Sequence, residues 1–174
     1  MTVTSIKIPA QGDALLDRLL LRQEIEEFNA AYADALDNGP LSDWPDFFAE
    51  DGLYVITARE NHNASLPVGL IYCEGKGMLR DRIFAIEKTA MFAPRYMRHF
   101  ITNSRVVESR ANGEIVAASN YILLQTLFDR PEPTLHQIGT YYDVFVRIDG
   151  ALKLKERRAV YDNLLIDNSV VYPV

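Results

Sequence analysis

A single cysteine, Cys73, stands in 174 residues, so this chain alone can form no internal disulfide and cannot hold a cluster by several thiolates. Histidine is almost as scarce. His62, His99 and His136 lie far from one another, no two share the i, i+4 spacing that sets a pair of imidazoles on one ion, and no H-E-x-x-H occurs. A site of two histidines and one carboxylate would have to be gathered from distant strands. Base is outnumbered by acid, 18 Lys and Arg against 24 Asp and Glu, and a net charge of −6 leaves no basic footprint for nucleic acid. No apolar run approaches the roughly 20 residues of a membrane span. The stretch from Met1 to Ala10 has one lysine and no continuous apolar core, unlike a secretory leader. The expectation is a cytoplasmic protein without a metal of its own.

Other familiar sites are missing as well. Gly75-Lys76-Gly77 precedes a helical pattern, but it lacks the third glycine of a dinucleotide fingerprint and the Gly-Lys-Ser/Thr ending of a P-loop. A loop entering a helix accounts for it. No G-x-S-x-G marks a nucleophilic serine. Cys73, between Tyr72 and Glu74 in an apparent strand, reads as a buried and inert thiol.

What is present suits one folded domain over residues 13–174, preceded by an arm over 1–12: hydrophobic residues make up 48% and charged residues 24%. Leu21, Ile25, Phe28, Tyr32 and Leu36 step by four and three along one helical face, and Asn38-Gly39-Pro40 ends that helix. A short helix follows over 42–48, with Ser42 or Asp43 as N-cap, and Asp51-Gly52 closes it. Leu53 to Thr57 reads as a strand, Arg59 to Asn63 as a polar loop, and Val68 to Cys73 as a second strand. Gly75 to Thr89 reads as a helix with Leu79, Ile83, Ile86 and Ala90 inward. From Tyr96 onward the pattern is β, turning at Asn112-Gly113, at Asp129 to Pro133 and at Asp149-Gly150. Strands of about a dozen residues must twist and coil. A curved antiparallel meander with helices before it predicts an α+β cone, its sheet wrapped around the N-terminal helices.

A cone closed by helices can hold an apolar pocket, so acid–base chemistry is the enzymatic candidate. The groups that could serve are Asp51 and Tyr54 on the first strand, His99 after Pro94, and Asp143 beside Tyr141 and Tyr142. Each has a plain structural explanation: a sheet histidine, a turn aspartate, a partner for a neighbouring arginine. In the last strand, strict alternation puts Leu152, Leu154, Glu156, Arg158 and Val160 on one face and leaves Lys153, Lys155 and Arg157 to solvent. Either charged strip could belong to a subunit contact.

Several segments, in order and at their spacing, resemble a known family. They are Trp44-Pro45-Asp46-Phe47-Phe48 followed by Asp51-Gly52-Leu53-Tyr54, then Met78 to Ile83, Arg98-His99-Phe100-Ile101-Thr102-Asn103, Gly139-Thr140-Tyr141-Tyr142-Asp143, and Asp149-Gly150 through Arg157. The chain resembles the small (beta) subunit of Rieske-type aromatic-ring-hydroxylating oxygenases. The loop from Arg59 through Leu66-Pro67 looks most like the branch acting on salicylate, benzoate or terephthalate, although Val55-Ile56-Thr57-Ala58 stands where better-known members carry a proline. The resemblance implies the cone fold shared with ketosteroid isomerase, scytalone dehydratase and nuclear transport factor 2. It implies a large alpha subunit carrying a [2Fe-2S] Rieske cluster and a mononuclear Fe(II), an α3β3 hexamer in which this chain meets itself as a trimer, and a reductase or ferredoxin delivering electrons. It carries over no catalytic, cofactor-binding or metal residue.

Two readings therefore stand side by side. One is a non-catalytic subunit whose contacts use the helix Met78–Lys88, the strand Leu152–Val160 with Arg157 and Arg158, and the tail Val170–Val174. The other is a stand-alone isomerase, dehydratase or cyclase using His99 with Asp51, Tyr54 or Asp143. The cavity discriminates between them, since a scaffold can fill its cone with side chains such as Phe84, Phe100 and Leu124.

Overall fold

Leu21, Ile25, Phe28, Tyr32 and Leu36 do fall on one side of a long helix, α1 (Gly12–Asp37), with Ile25, Tyr32 and Leu36 buried and Leu21 and Phe28 packed against the core. The computed structural model describes residues 12–89, 91–166 and 170–174. The expected arm lies outside these except for Gly12, which opens α1; Ala90, read as inward, also lies outside them. After Pro40 comes a 3-10 turn, Leu41–Phe47, which neither Ser42 nor Asp43 caps with its side chain.

Six strands follow: β1 (Phe48–Ala58), β2 (Ile71–Glu74), β3 (Arg95–Ser109), β4 (Ile115–Leu127), β5 (Thr134–Ile148) and β6 (Ala151–Tyr161). Between them lie α2 (Arg59–Asn63) and α3 (Gly75–Lys88). They form one sheet in the order β2-β1-β6-β5-β4-β3, antiparallel throughout except for the parallel pair β1 and β6. The meander β3 to β6 is the one expected. Its last turn is a two-residue loop in which Asp149 and Gly150 both hold positive φ, 51° and 83°, the conformation a right-twisted hairpin requires.

Local departures from the sequence reading have physical causes. β1 begins at Phe48, because the 3-10 turn runs directly into it, and Asp51-Gly52 sits inside the strand at a break in register between Phe48 and Leu53. The segment Arg59–Asn63 is a short helix and not a loop. β2 is confined to Ile71–Glu74, since Val68 to Leu70 carries the chain across β1. Register breaks also occur in β3, in β5 and in β6, and such bulges bend strands and sharpen their twist.

The sheet curls around α1 and α3. Leu79, Ile83 and Ile86 of α3 are buried, as expected. The cone is filled by aromatic rings: Tyr32, Trp44, Phe48, Tyr54, Tyr121, Tyr141 and Phe145 are 0–1% exposed. The side chains proposed as filling are not the ones used. Phe84 and Phe100 are 61% and 51% exposed, and Leu124 lies on the outer face beside Arg98 and Leu135. At Gly139 a Cβ would collide with the carbonyl oxygen of Val160 on β6. Because backbone cannot yield cheaply, Gly139→Ala should lower stability by about 1–3 kcal/mol or more in urea unfolding. An unchanged midpoint would contradict this close approach of β5 to β6.

Candidate functional site

The interior polar network draws on five elements, α1 and β3 to β6. Asp143 on β5 and Arg157 on β6 are direct cross-strand neighbours, both with side chains 0% exposed. Arg157 Nε donates to Asp143 Oδ1 at 2.9 Å and Nη2 donates to Oδ2 at 2.8 Å, a bidentate pair. Nη2 also donates to Asn29 Oδ1 on α1 at 2.6 Å, and Asn29 Nδ2 donates to Ser104 Oγ at 3.3 Å and Ser119 Oγ at 3.2 Å. The guanidinium is held between the rings of Tyr32 and Tyr141, 4.1 and 4.3 Å from their centroids. Tyr141 in turn stacks on Tyr121. Nη1 of Arg157 and the hydroxyl of Tyr141 have no hydrogen-bond partner among the described residues; the two aromatic faces take up part of the cation's charge instead.

Burial works against both charges of the pair. For Arg157 it would lower the pKa, but the charge and hydrogen bonds of Asp143 outweigh it and hold the guanidinium above its ordinary range. Asp143 is pushed up by burial while Arg157 pulls it back, and two charge-assisted bonds under 3 Å fit the ionised carboxylate. Either way its oxygens are engaged with the cation, so it is not placed to take a proton from a substrate.

Strict alternation had left Arg157 to solvent, and the structure overturns that. Lys155 is an extra residue in β6: Leu154 pairs with Phe145 and Glu156 with Val144, so Lys155 faces no partner of its own. Beyond this bulge the inward set switches, and Arg157 and Ala159 are buried beside Leu152 and Leu154. Arg157 is therefore part of the core and unavailable to a partner subunit. Arg158, expected on the face of Leu152 and Leu154, is turned by the same bulge to the outer face and ion-paired there with Glu156.

The other candidates are dispersed. Tyr54 is fully buried; its hydroxyl donates to the Val174 carbonyl at 2.9 Å and accepts from the Val174 N–H at 2.7 Å. Tyr32 donates to the same carbonyl at 3.2 Å and accepts from Trp44 Nε1 at 2.9 Å. Burial holds the Tyr54 and Tyr141 hydroxyls well above their usual range, with neighbouring tyrosines adding to the effect, so neither is a base at neutral pH. His99 has its ring Nδ1 2.7 Å from Asp37 Oδ1, and its backbone N–H donates to Asp37 Oδ2 at 2.9 Å. This ties β3 to the last residue of α1. Its Nε2 is buried without a partner among the described residues. Asp51 is exposed at the bulge of β1. His99 thus pairs with Asp37, Asp143 with Arg157, and Tyr54 with Val174; the four candidates do not converge.

Clefts open at the surface, one of them beside His99. One of about 370 Å³ opens on the outer face between β1, β6 and the 62–69 segment, with Val55, His62, Leu66, Val68, Tyr72 and Arg158 among its walls. His62 there stacks on Tyr142, and burial together with Arg158 and Arg59 lowers its pKa. A groove of about 360 Å³ runs between α1 and β3 past Asp37 and His99. The tail is folded back on its own chain: Val174 is buried, and Arg82 Nη2 donates to the carbonyls of Val170 and Val171 at 3.1 and 2.6 Å.

Iron–sulfur or iron ligation does not fit the residues present. Among the described residues no group of three His, Cys, Asp or Glu side chains is placed to hold a metal ion. The one thiol, Cys73, is buried, and burial raises its pKa. No described helix is long and apolar enough to cross a membrane.

Sequence reasoning missed Asn29, Asp37 and the inward role of Arg157. Asn29 could have been found: it lies four residues after Ile25 and three before Tyr32, a polar residue inside the buried stripe that must find a partner. Nothing in the alternation of β6 announces its bulge.

Known proteins resemble the chain over most of its length. The family model described as ring hydroxylating beta subunit matches residues 31–168. The anthranilate 1,2-dioxygenase small subunit of Burkholderia cepacia is 34% identical over 151 residues, covering 87% of this chain and 92% of that one. A terephthalate 1,2-dioxygenase terminal oxygenase component, subunit beta 2, of a Comamonas species is 31% identical over 151 residues, 87% of this chain and 97% of the relative. Among solved structures, a chain described as the beta subunit of an aromatic-ring-hydroxylating dioxygenase from Novosphingobium aromaticivorans superposes with a TM-score of 0.79 at 34% identity, covering 88% of this chain and 96% of that one. The chain belongs to the beta-subunit family of ring-hydroxylating dioxygenases.

The Asp143–Arg157 pair yields a paired test. Asp143→Ala, which strands a buried guanidinium, should cost about 3–5 kcal/mol in chemical unfolding, whereas replacing both partners with Leu and Met should recover most of that loss. Equal losses in the single and double variants would contradict the account, as would an Arg157→Glu chain that still folds.

Proposed function

We propose that the chain is the non-catalytic beta subunit of the terminal oxygenase component of a ring-hydroxylating dioxygenase, acting in the breakdown of an aromatic carboxylic acid. The observation that carries this is the closed cone. Where a fold of this kind could keep an open pocket with converging acid–base groups, the chain has a bidentate ion pair against two tyrosine rings, His99 and Tyr54 are tied to partners of their own, and Asp51 lies exposed away from them. Anthranilate and terephthalate, named for its relatives, are both aromatic carboxylic acids, which supports that substrate class.

On this reading the iron chemistry belongs to a large alpha subunit with a Rieske cluster and a mononuclear iron, which is supported by the lack of a metal-holding donor set among the described residues. The complex is an α3β3 hexamer in which three copies of this chain meet, served by a reductase or ferredoxin in the cytoplasm. The chain contributes shape and contact surfaces and no catalytic, cofactor-binding or metal residue. The helix Met78–Lys88 keeps Met78 and Phe84 outward for contact, whereas the tail Val170–Val174 is committed to its own core.

The alternative, a stand-alone acid–base enzyme around His99, makes a different kinetic forecast. A catalytic base contributes about 10²–10⁴-fold to rate. In the assembled oxygenase, His99→Gln and Asp51→Asn should leave kcat per iron within about twofold of wild type, well short of that contribution. A drop of about a hundredfold with assembly intact would overturn the scaffold reading.

A further inference from the structure

Residues 170–174 meet the rest of the chain in an unusual way. They belong to no helix or strand, and among the described residues no backbone–backbone hydrogen bond joins them to one. Side chains supply their polar contacts instead. Arg82 on α3 donates to the carbonyls of Val170 and Val171, and Tyr172 meets Phe92 edge-on with ring centroids 5.0 Å apart. Pro173 and Val174 are buried. At Val174 one hydroxyl, that of Tyr54, accepts from the N–H and donates to the carbonyl, while Tyr32 donates to the same carbonyl oxygen.

The hydrogen bonds at this spot form a relay. Trp44 Nε1 donates to Tyr32, Tyr32 donates to the Val174 carbonyl, and the Val174 N–H donates to Tyr54, whose own proton goes to that carbonyl. Burial raises the pKa of both tyrosines, so each keeps the proton it donates at neutral pH. Their rings are set by edge-on contacts, Tyr32 with Phe47, and Trp44 with both Phe48 and Tyr54. Two hydroxyls aimed at one oxygen within an aromatic wall recognise a carbonyl, and a hydroxyl that also accepts from the adjoining N–H recognises a whole residue. The walls come from α1, the 3-10 turn and β1, all outside residues 170–174, so the site is built without its occupant. We propose that the cone carries a binding site for an apolar residue and its main-chain N–H and carbonyl, walled by Tyr32, Trp44 and Tyr54, and that Val174 fills it as a detachable internal ligand strapped down by Arg82. The site goes beyond the proposed function and needs no partner chain.

The tests use the full chain. Val174→Lys alters the occupant and none of the walls, and an unpaired charge cannot stay at a position 0% exposed, so the segment should leave while the cone stays folded. Trp44 is the chain's one tryptophan, so its fluorescence reports the site. Acrylamide should quench it in the variant and leave it shielded in the wild type. The peptide Val-Val-Tyr-Pro-Val should then restore the shielding, saturating with a Kd below about 1 mM, whereas the same peptide ending in lysine should not. Hydrogen exchange serves if the lysine variant misfolds. In the wild-type chain the Val174 N–H should exchange about a hundredfold or more faster than the slowest amides of β5 and β6, because the segment opens without the cone. Tyr54→Phe, which keeps the ring and removes both bonds to Val174, should speed that exchange about tenfold further relative to β5 and β6. Trp44 still shielded in a folded lysine variant would overturn the proposal, as would quenching that the peptide does not reverse. So would a Val174 N–H that exchanges only with global unfolding, or one indifferent to Tyr54→Phe, since the segment would then be ordinary core.

Discussion

Arg157 is the residue around which the cone is organised. It carries a full charge at 0% exposure, and removing a guanidinium from water is tolerable only when its hydrogen bonds and its charge are met in place. Asp143 meets them from β5, Asn29 from α1, and the rings of Tyr32 and Tyr141, inclined at 70° to each other, close on it from two sides. One side chain thus fastens two neighbouring strands to the helix that the sheet wraps. The geometry depends on the bulge at Lys155, which brings Arg157 inward and sends Arg158 outward.

From that arrangement the division of labour follows. The cone is centred on a neutralised ion pair and stacked tyrosines, which form a packed core. Polar groups with catalytic potential are parted among separate structural ties: His99 anchors the end of α1, Tyr54 holds Val174, and Asp143 serves Arg157. On the proposed function, contact with partners falls to the outside. The outer face of β3 to β5 exposes Phe100, Ile122 and Ile138 in register.

Much of the fold was legible in the sequence because it rests on periodicity and turn chemistry. The stripe Leu21 to Leu36 marks α1, Leu79, Ile83 and Ile86 mark α3, and Asn112-Gly113 and Asp149-Gly150 mark two hairpins. Family resemblance supplied the partner and the role, which no local pattern could. The site was less legible, for a definite reason. Alternation predicts facing only while register holds, and a single extra residue in β6 inverts every assignment beyond it. Phe100 was assigned to the core for a related reason: its hydrophobicity points inward, but its neighbours Met97, His99 and Ile101 already occupy the inner side of β3. An exposed phenylalanine is informative only once its cross-strand companions Ile122 and Ile138 are seen beside it.

On the proposed function, this chain supports an oxygenase without carrying its chemistry. The most direct measurement is to purify the chain alone and together with its large subunit, and to record iron content, visible spectrum and native mass of each. The account predicts a colourless, iron-free chain that turns over no substrate by itself, and a coloured complex in which it stands in equal ratio with a larger iron–sulfur polypeptide. A chain that by itself converts a small molecule, or that forms no complex with the larger polypeptide, would contradict it.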